Sequence, residues 1–274
     1  MEPAFFGFAL AAVALVALLV GIRYVPRMRV VWVIWAILLA ESALVFFGLP
    51  AMLGAVIGVV VVVTVTFVWW WRGREAIRTW REAAREPLRL RSPFVDRWRV
   101  AAGGPYLGRN HHLVASDQRF AYDFIRVRGD SFDEPILAPC DGVVTAAVDG
   151  MPDFPPSRNP DRPGVAGREL GNYVAITSAD VTVFLCHLRL GSLAVRVDEW
   201  IAAGTPVGRC GNSGRTTRAH LHLHAQDRPA YAPRTAHGVP VAFTDGVGAP
   251  RVLGFGDVLD GYPVSEPVPT ASGL

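Results

Sequence analysis

The run His220-Leu221-His222-Leu223-His224 is the part of this sequence best suited to chemistry. On a β-strand alternate residues point the same way, so the three imidazoles share one face while Leu221 and Leu223 pack on the other. An imidazole can ligate a metal ion or carry a proton, and three on one face can supply both. A row of histidines can also be no more than a polar sheet face, and an open catalytic zinc site needs three protein ligands. Other groups must therefore converge on this strand. Asp123 lies within Phe120-Ala121-Tyr122-Asp123-Phe124-Ile125, a run apolar on both faces. A carboxylate there is costly unless it is paired, hydrogen-bonded in a turn or bound to a metal. Asn110-His111-His112 stands upstream, and His187 ends the apolar run 181–186. Taken alone, His187 reads as a satisfied core histidine.

A frame of short strands must position these side chains. From about residue 88, runs rich in Val, Ile, Phe and Tyr alternate with clusters of Gly, Pro, Asp and Asn. Residues 119–127, 142–148, 172–177, 181–188 and 220–225 are such runs, an all-β pattern. No long helical period follows residue 90. Residues 151–167 hold five prolines and are expected to form a surface loop or flap. Cys140, Cys186 and Cys210 are odd in number and lack CxxC spacing, which excludes a disulfide framework. They read as small core residues rather than ligands.

Further stretches fall in order around the histidines: Ala138-Pro139-Cys140-Asp141-Gly142-Val143-Val144, then Gly171-Asn172-Tyr173-Val174, then Cys186-His187-Leu188 with Gly191-Ser192. Gly204-Thr205-Pro206-Val207-Gly208 leads into Gly211-Asn212-Ser213-Gly214-Arg215-Thr216-Thr217-Arg218-Ala219-His220-Leu221-His222. Over about residues 90–245 the chain resembles the lysostaphin/LytM-type zinc metalloendopeptidases, which cut peptide bridges of peptidoglycan. The resemblance implies a compact antiparallel β-domain of the duplicated-hybrid-motif kind holding one Zn2+. It places the zinc ligands on His112, Asp123 and His222, and two non-ligand catalytic histidines on His187 and His220. Zinc chemistry would then supply hydroxide near neutral pH and polarise the amide carbonyl. Departures from the pattern are visible. His112 and Asp123 are eleven residues apart where three is common, and His111 competes with His112 as first ligand. Arg218-Ala219 replaces Gly-Pro, Leu185 replaces a Tyr, and His224 stands where a Glu or a Phe-flanked polar residue is common. No motif names substrate-binding residues.

The first 71 residues have another texture. Residues 4–22, 30–48 and 51–71 are apolar stretches of bilayer-spanning length, with Glu41 their single charge. Trp69, Trp70 and Trp71 fit an interfacial aromatic belt. Glu41 is expected to face another helix. The expected organisation is a membrane region over 1–72 with about three transmembrane helices, and a charged juxtamembrane helix or linker over 73–89. The zinc peptidase β-domain would occupy 90–250, and a Pro/Gly-rich tail 251–274.

All 27 basic residues are Arg, and the net charge is +3. Residues 1–100 carry 12 Arg against 6 acidic residues, a basic half joined to apolar runs. That pattern suggests membrane contact, and no nucleic-acid-binding signature is present. The expected function is a membrane-anchored zinc metalloendopeptidase with the bilayer and peptidoglycan peptide as its partners; no protein partner is indicated. Substrate places the catalytic half outside the cytoplasm. The Arg residues after Trp71 argue for the cytoplasmic side, because cytoplasmic loops carry the excess of Arg and Lys. Two other readings stay open: a non-catalytic peptidoglycan-binding or regulatory protein, and a cytoplasmic-facing metallohydrolase or metal sensor with another substrate.

Overall fold

The computed structural model describes residues 77–261 apart from 107, 234 and 246–248, together with residues 60, 63, 64, 67, 71, 74 and 75. The apolar stretches 4–22 and 30–48, Glu41 and residues 262–274 lie outside the described residues. Of the third stretch, Val60, Val63, Thr64, Phe67 and Trp71 are described, and all are helical. Among the described residues no helix is long and apolar enough to cross a membrane. The chain divides into two units, Met1–Arg74 and Glu75–Leu274.

The second unit begins with the charged helix, helical over residues 77–83 and ending ahead of Pro87. Arg78 pairs with Glu75 one turn back and with Glu82 at 2.8 Å one turn on, which suits an exposed helix surface. Trp80 is the exception to its polarity. It is buried and its ring lies 5.7 Å from Phe120.

Thirteen strands follow among the described residues. They are β1 (Leu88–Arg91), β2 (Trp98–Ala102), β3 (Tyr122–Arg126), β4 (Pro135–Leu137), β5 (Gly142–Val148), β6 (Asn172–Ser178) and β7 (Val181–Leu188), then β8 (Trp200–Ile201), β9 (Pro206–Arg209), β10 (Leu221–Gln226), β11 (Gly238–Val239), β12 (Val241–Thr244) and β13 (Val258–Leu259). One sheet of nine strands dominates, in the order β13-β2-β3-β10-β7-β6-β5-β8, with β11 also paired to β10. Its pairings are all antiparallel. Parallel β1-β12 and antiparallel β4-β9 form two small sheets. The domain is thus mostly antiparallel β.

Strand alternation divides the large sheet into two faces. Tyr122 and Phe124 of β3, Leu221, Leu223 and Ala225 of β10, and Val183 and Leu185 of β7 join one core. Phe94 seals it, stacked on Trp98 at 4.3 Å and edge-on to Phe124 at 5.1 Å. The intervening residues Asp123, His222, His224, Phe184 and Cys186 fall on the other face. A smaller apolar cluster of Leu170, Ala175, Phe184 and Cys186 covers part of that face. Strand β10 is therefore buried along its whole length, apolar on one side and imidazole-bearing on the other.

Residues past the expected boundary at 250 also pair. Arg251 bridges to Phe243, and Val258 and Leu259 pair with Arg99 and Trp98, so the large sheet continues to residue 259. Two residues are too few for an alternating pattern to be read.

Candidate metal and catalytic site

Register sets the centre of the site. His222 lies opposite Asp123 of β3 and opposite Cys186 of β7, so three strands present these residues in one row. A register shift in β2 lies directly beside Asp123. His222 Nδ1 is 2.9 Å from Asp123 Oδ1. A short 3-10 turn, His111–Val114, brings in the next ligand type. Asn110 caps it, its side-chain oxygen accepting from the His112 backbone N–H at 3.0 Å while its amide donates to the Gly104 carbonyl at 2.7 Å. The turn buries His112 and sets its Nε2 3.1 Å from Asp123 Oδ2. His111 reaches the same oxygen at 3.8 Å from an exposed position. Both members of the pair left open by the sequence are thus at the site. The donor atoms of His111, His112 and Asp123 all lie within 4.8 Å of one another.

His187 reaches the site by a backbone device. Asn172 pairs with Leu188 and Tyr173 with Cys186, which leaves His187 as an extra residue in β7. Its φ is +62°, a left-handed conformation unusual for a residue with a side chain. Such a bulge re-aims a side chain. Its N–H donates to the Leu170 carbonyl and its C=O accepts from Gly211 N–H, both at 3.0 Å. The ring lies 4.8 Å from that of His220 and 5.7 Å from that of His222.

Two carbonyls fix the tautomers of the remaining rings. His187 Nδ1 lies 2.8 Å from the Ser213 carbonyl, and His220 Nδ1 lies 2.8 Å from the Arg218 carbonyl. A carbonyl only accepts, so each Nδ1 carries a proton, and in the neutral ring each Nε2 keeps its lone pair. His220 Nε2 is 3.6 Å from Asp123 Oδ1. Ser213 is clamped by two glycines. A Cβ on Gly171 (φ +66°) would stand 2.5 Å from the Ser213 carbonyl, and one on Gly214 (φ +81°) 2.5 Å from Gly171 N. The proline-rich loop holds the same segment. Asp153 accepts from Asn212 N–H at 2.6 Å and Leu190 N–H at 3.0 Å, and Ser157 N–H donates to the Thr217 carbonyl at 2.8 Å.

Asp123 is buried, which alone would raise its pKa. The surrounding imidazoles, His112 and His220 foremost, instead hold it well below the usual carboxylate range. Burial pushes His187 and His224 well below the ordinary imidazole value, and His220 and His222, respectively, add to the shift. Burial works against charge on His220 too, but the Asp123 carboxylate raises it overall.

The predicted residues His112, Asp123, His187, His220 and His222 therefore converge, and six of the seven histidines of the chain stand in one cluster with Asp123. Sequence reasoning assigned nothing to the sixth, His224, nor to the backbone carbonyls of Ser213 and Arg218. The HLHLH spacing put His224 on the same face as His220 and His222 without giving it a role; the carbonyls carry no signal in the sequence.

A mostly antiparallel β-domain with a buried His/carboxylate cluster of metal-ligating composition is the class that fold and site define. Residues 125–233 match the family model described as peptidase family M23, and with this match the resemblance read from the motifs is shown. His187, His220, His222 and His224 lie inside the matched segment, whereas His111, His112 and Asp123 precede it. Among curated proteins none matches the sequence. Among solved structures the chain is similar to the catalytic domain of a prophage-encoded M23 protein, EnpA, from Enterococcus faecalis, at 18% identity over 44% of this chain and 73% of that one, with a TM-score of 0.32. It is also similar to the antimicrobial peptidase lysostaphin from Staphylococcus simulans, at 20% identity over 43% of this chain, with a TM-score of 0.31. The similarity spans only 40% of the lysostaphin chain. The catalytic domain of lysostaphin alone gives 19% identity over 53% of this chain and 88% of that one, with a TM-score of 0.33.

Proposed function

We propose that this chain is a membrane-anchored zinc metalloendopeptidase that hydrolyses peptide bonds of cell-wall peptidoglycan. One observation carries the reading. His112 Nε2 is buried and makes no hydrogen bond, yet it lies 3.1 Å from Asp123 Oδ2. Two polar atoms that close, out of hydrogen-bonding alignment, suit ligands converging on a shared ion. Donors around a four-coordinate zinc are about 3.3 Å apart, given bonds of about 2.0–2.1 Å. The spacing from Asp123 Oδ2 to His112 Nε2, 3.1 Å, is close to that, and His222 Nδ1 stands at hydrogen-bond distance, 2.9 Å, from the other oxygen, Oδ1. In this reading His112, Asp123 and His222 hold one zinc. When bound, zinc supplies a water whose pKa falls from about 16 to about 7 and polarises the scissile carbonyl.

The chain's own residues do the rest. His187 presents an unprotonated Nε2, because its Nδ1 hydrogen is committed to a carbonyl, and His220 is held by a carbonyl in the same way with its Nε2 toward Asp123. His187 Nε2 accepts the proton released as water attacks and returns that same proton to the leaving nitrogen, while His220, favoured in its charged form by Asp123, donates from its Nε2 to the carbonyl oxygen. The ring spacing of 4.8 Å lets both address one amide. Burial and the left-handed bulge fix His187 before substrate arrives. The M23 match supports the reaction class.

Membrane anchoring is supported by the three apolar stretches and by what is described of the third. Val60, Val63, Phe67 and Trp71 are all exposed and recur at helical spacing on one face. Incubating the full chain in detergent with purified peptidoglycan tests the function. New amino termini should appear and should vanish on chelation, to be restored by zinc. Their absence from zinc-loaded protein sinks the enzyme reading and leaves the binding or regulatory one. The Arg distribution favours a second reading, a cytoplasmic-facing metallohydrolase. An Ala194→Cys variant in a background lacking Cys140, Cys186 and Cys210 separates the two. Ala194 is exposed, so labelling of intact cells by an impermeant reagent places the domain outside, and labelling only after lysis places it inside.

A further inference from the structure

His224 is completely buried, and neither the motif resemblance nor the proposed mechanism uses it. Its ring stacks on Phe184 at 4.7 Å with an interplanar angle of 3°, as their pairing across β10 and β7 dictates. Tyr231 lies edge-on at 6.5 Å. In these apolar surroundings a phenyl ring would pack equally well without desolvating two nitrogens. The nitrogens are used unequally. His224 Nδ1 lies 3.1 Å from His222 Nε2, whereas His224 Nε2 is buried with no hydrogen-bond partner.

We infer that His224 is a positioning residue whose Nδ1 accepts the His222 Nε2 hydrogen, locking His222 in the tautomer and orientation that leave its Nδ1 free to ligate a metal beside Asp123. The inference rests on the zinc reading above. A neutral imidazole has one N–H and one lone pair, and a ligating nitrogen must present the lone pair. His222 Nδ1 is hydrogen-bonded to Asp123 Oδ1 at 2.9 Å, and a metal held beside Asp123 would take the place of that hydrogen, so with metal bound the proton belongs on Nε2. That N–H then needs an acceptor, and His224 Nδ1 is in place. The acceptor role in turn puts the His224 proton on Nε2, the atom left without a partner. An orphaned N–H is unfavourable in a buried site, and an apolar residue would avoid it; what the histidine adds is the Nδ1 acceptor. Hydrogen-bond partners behind ligating histidines typically change metal affinity by about 10–100-fold.

Two variants test this in the full chain, with zinc alone as the probe and a competing chelator to measure affinity. His224→Phe keeps the stack on Phe184 and removes the acceptor. His224→Asn places an amide oxygen near the position of Nδ1. The Phe variant should bind zinc about 10–100-fold more weakly than wild type at unchanged circular dichroism, and the Asn variant should recover most of the loss. Unchanged zinc affinity in a folded His224→Phe protein overturns the inference, as does an Asn variant no better than Phe. Should a variant fail to fold, nitrogen chemical shifts of histidine-labelled wild type with zinc answer the question directly. His222 and His224 both protonated at Nε2 support the inference, and a proton on His224 Nδ1 overturns it. Wild-type protein that binds no zinc overturns the proposed function and this inference with it. Zinc bound equally by wild type and His224→Phe overturns this inference alone.

Discussion

Gly171→Ala should loosen His187 without touching any proposed metal ligand. The glycine has φ +66°, and an added Cβ would stand 2.5 Å from both the carbonyl carbon and oxygen of Ser213 and 2.6 Å from its Oγ. That carbonyl accepts the His187 Nδ1 hydrogen, and Ser213 Oγ links the Asn172 N–H to the Leu188 carbonyl. The left-handed backbone costs an alanine about 1–2 kcal/mol. Forcing a methyl into a close-packed contact costs about 1–3 kcal/mol more. The expected destabilisation is therefore about 2–5 kcal/mol, or a Tm lower by roughly 4–20 °C in a domain of this size. Gly164→Ala is the control. Its φ is +78°, but nothing lies within 4 Å of the added Cβ, so only the backbone part of the cost applies. Thermal unfolding of both variants, with zinc content and kcat/KM on a peptidoglycan peptide, separates the contributions. The Gly171 variant should lose more stability than the Gly164 variant and should lose turnover while keeping zinc. Equal effects of the two on stability and activity would show that the clamp on Ser213 does not position His187.

Three further outcomes follow from the same geometry. His187→Ala and His220→Ala should each retain zinc yet lower turnover by roughly 100-fold, the scale of lost acid–base catalysis, and metal analysis beside steady-state kinetics would expose either residue as a ligand. The cysteines should be silent: burial pushes the Cys140 thiol up to about 12 and Cys186 and Cys210 well above their ordinary value, so a thiol reagent at pH 8 should leave the native protein unmodified and activity intact. Hydrogen bonds from Arg189 and Arg209 hold the Asp133 carboxyl below its ordinary pKa, so its contribution to stability is present above the carboxylate range and lost as pH falls through the lowered value. The difference in unfolding midpoint between wild type and Asp133→Asn should therefore shrink in strong acid, and a difference independent of pH would rule out the charge.

What the sequence disclosed depended on period. Alternation revealed β10 and its histidines because Leu221 and Leu223 mark the opposite face, and the structure puts both in the core. Asp123 was legible for a related reason, as a carboxylate between Tyr122 and Phe124 needs partners, and the sheet supplies them. The same rule would turn His187 away from His222, since Cys186 already faces the site. Only the extra residue in β7 and its left-handed φ bring His187 round, and neither leaves a mark in composition. Between His111 and His112 the spacing Asn110-x-His112 only favoured the second, because a four-residue turn carries no period. The structure sets them apart by burial and by 3.1 against 3.8 Å to the same oxygen. Strand β13 escaped because two residues cannot alternate.

Zinc content of the full chain is the most direct test of the account. Elemental analysis of protein equilibrated with zinc and then desalted should give one equivalent for wild type and for His111→Ala, His187→Ala and His220→Ala. It should give essentially none for His112→Ala, Asp123→Ala and His222→Ala. A full equivalent retained by any of these last three while folded, or none in wild type, would contradict the proposed centre.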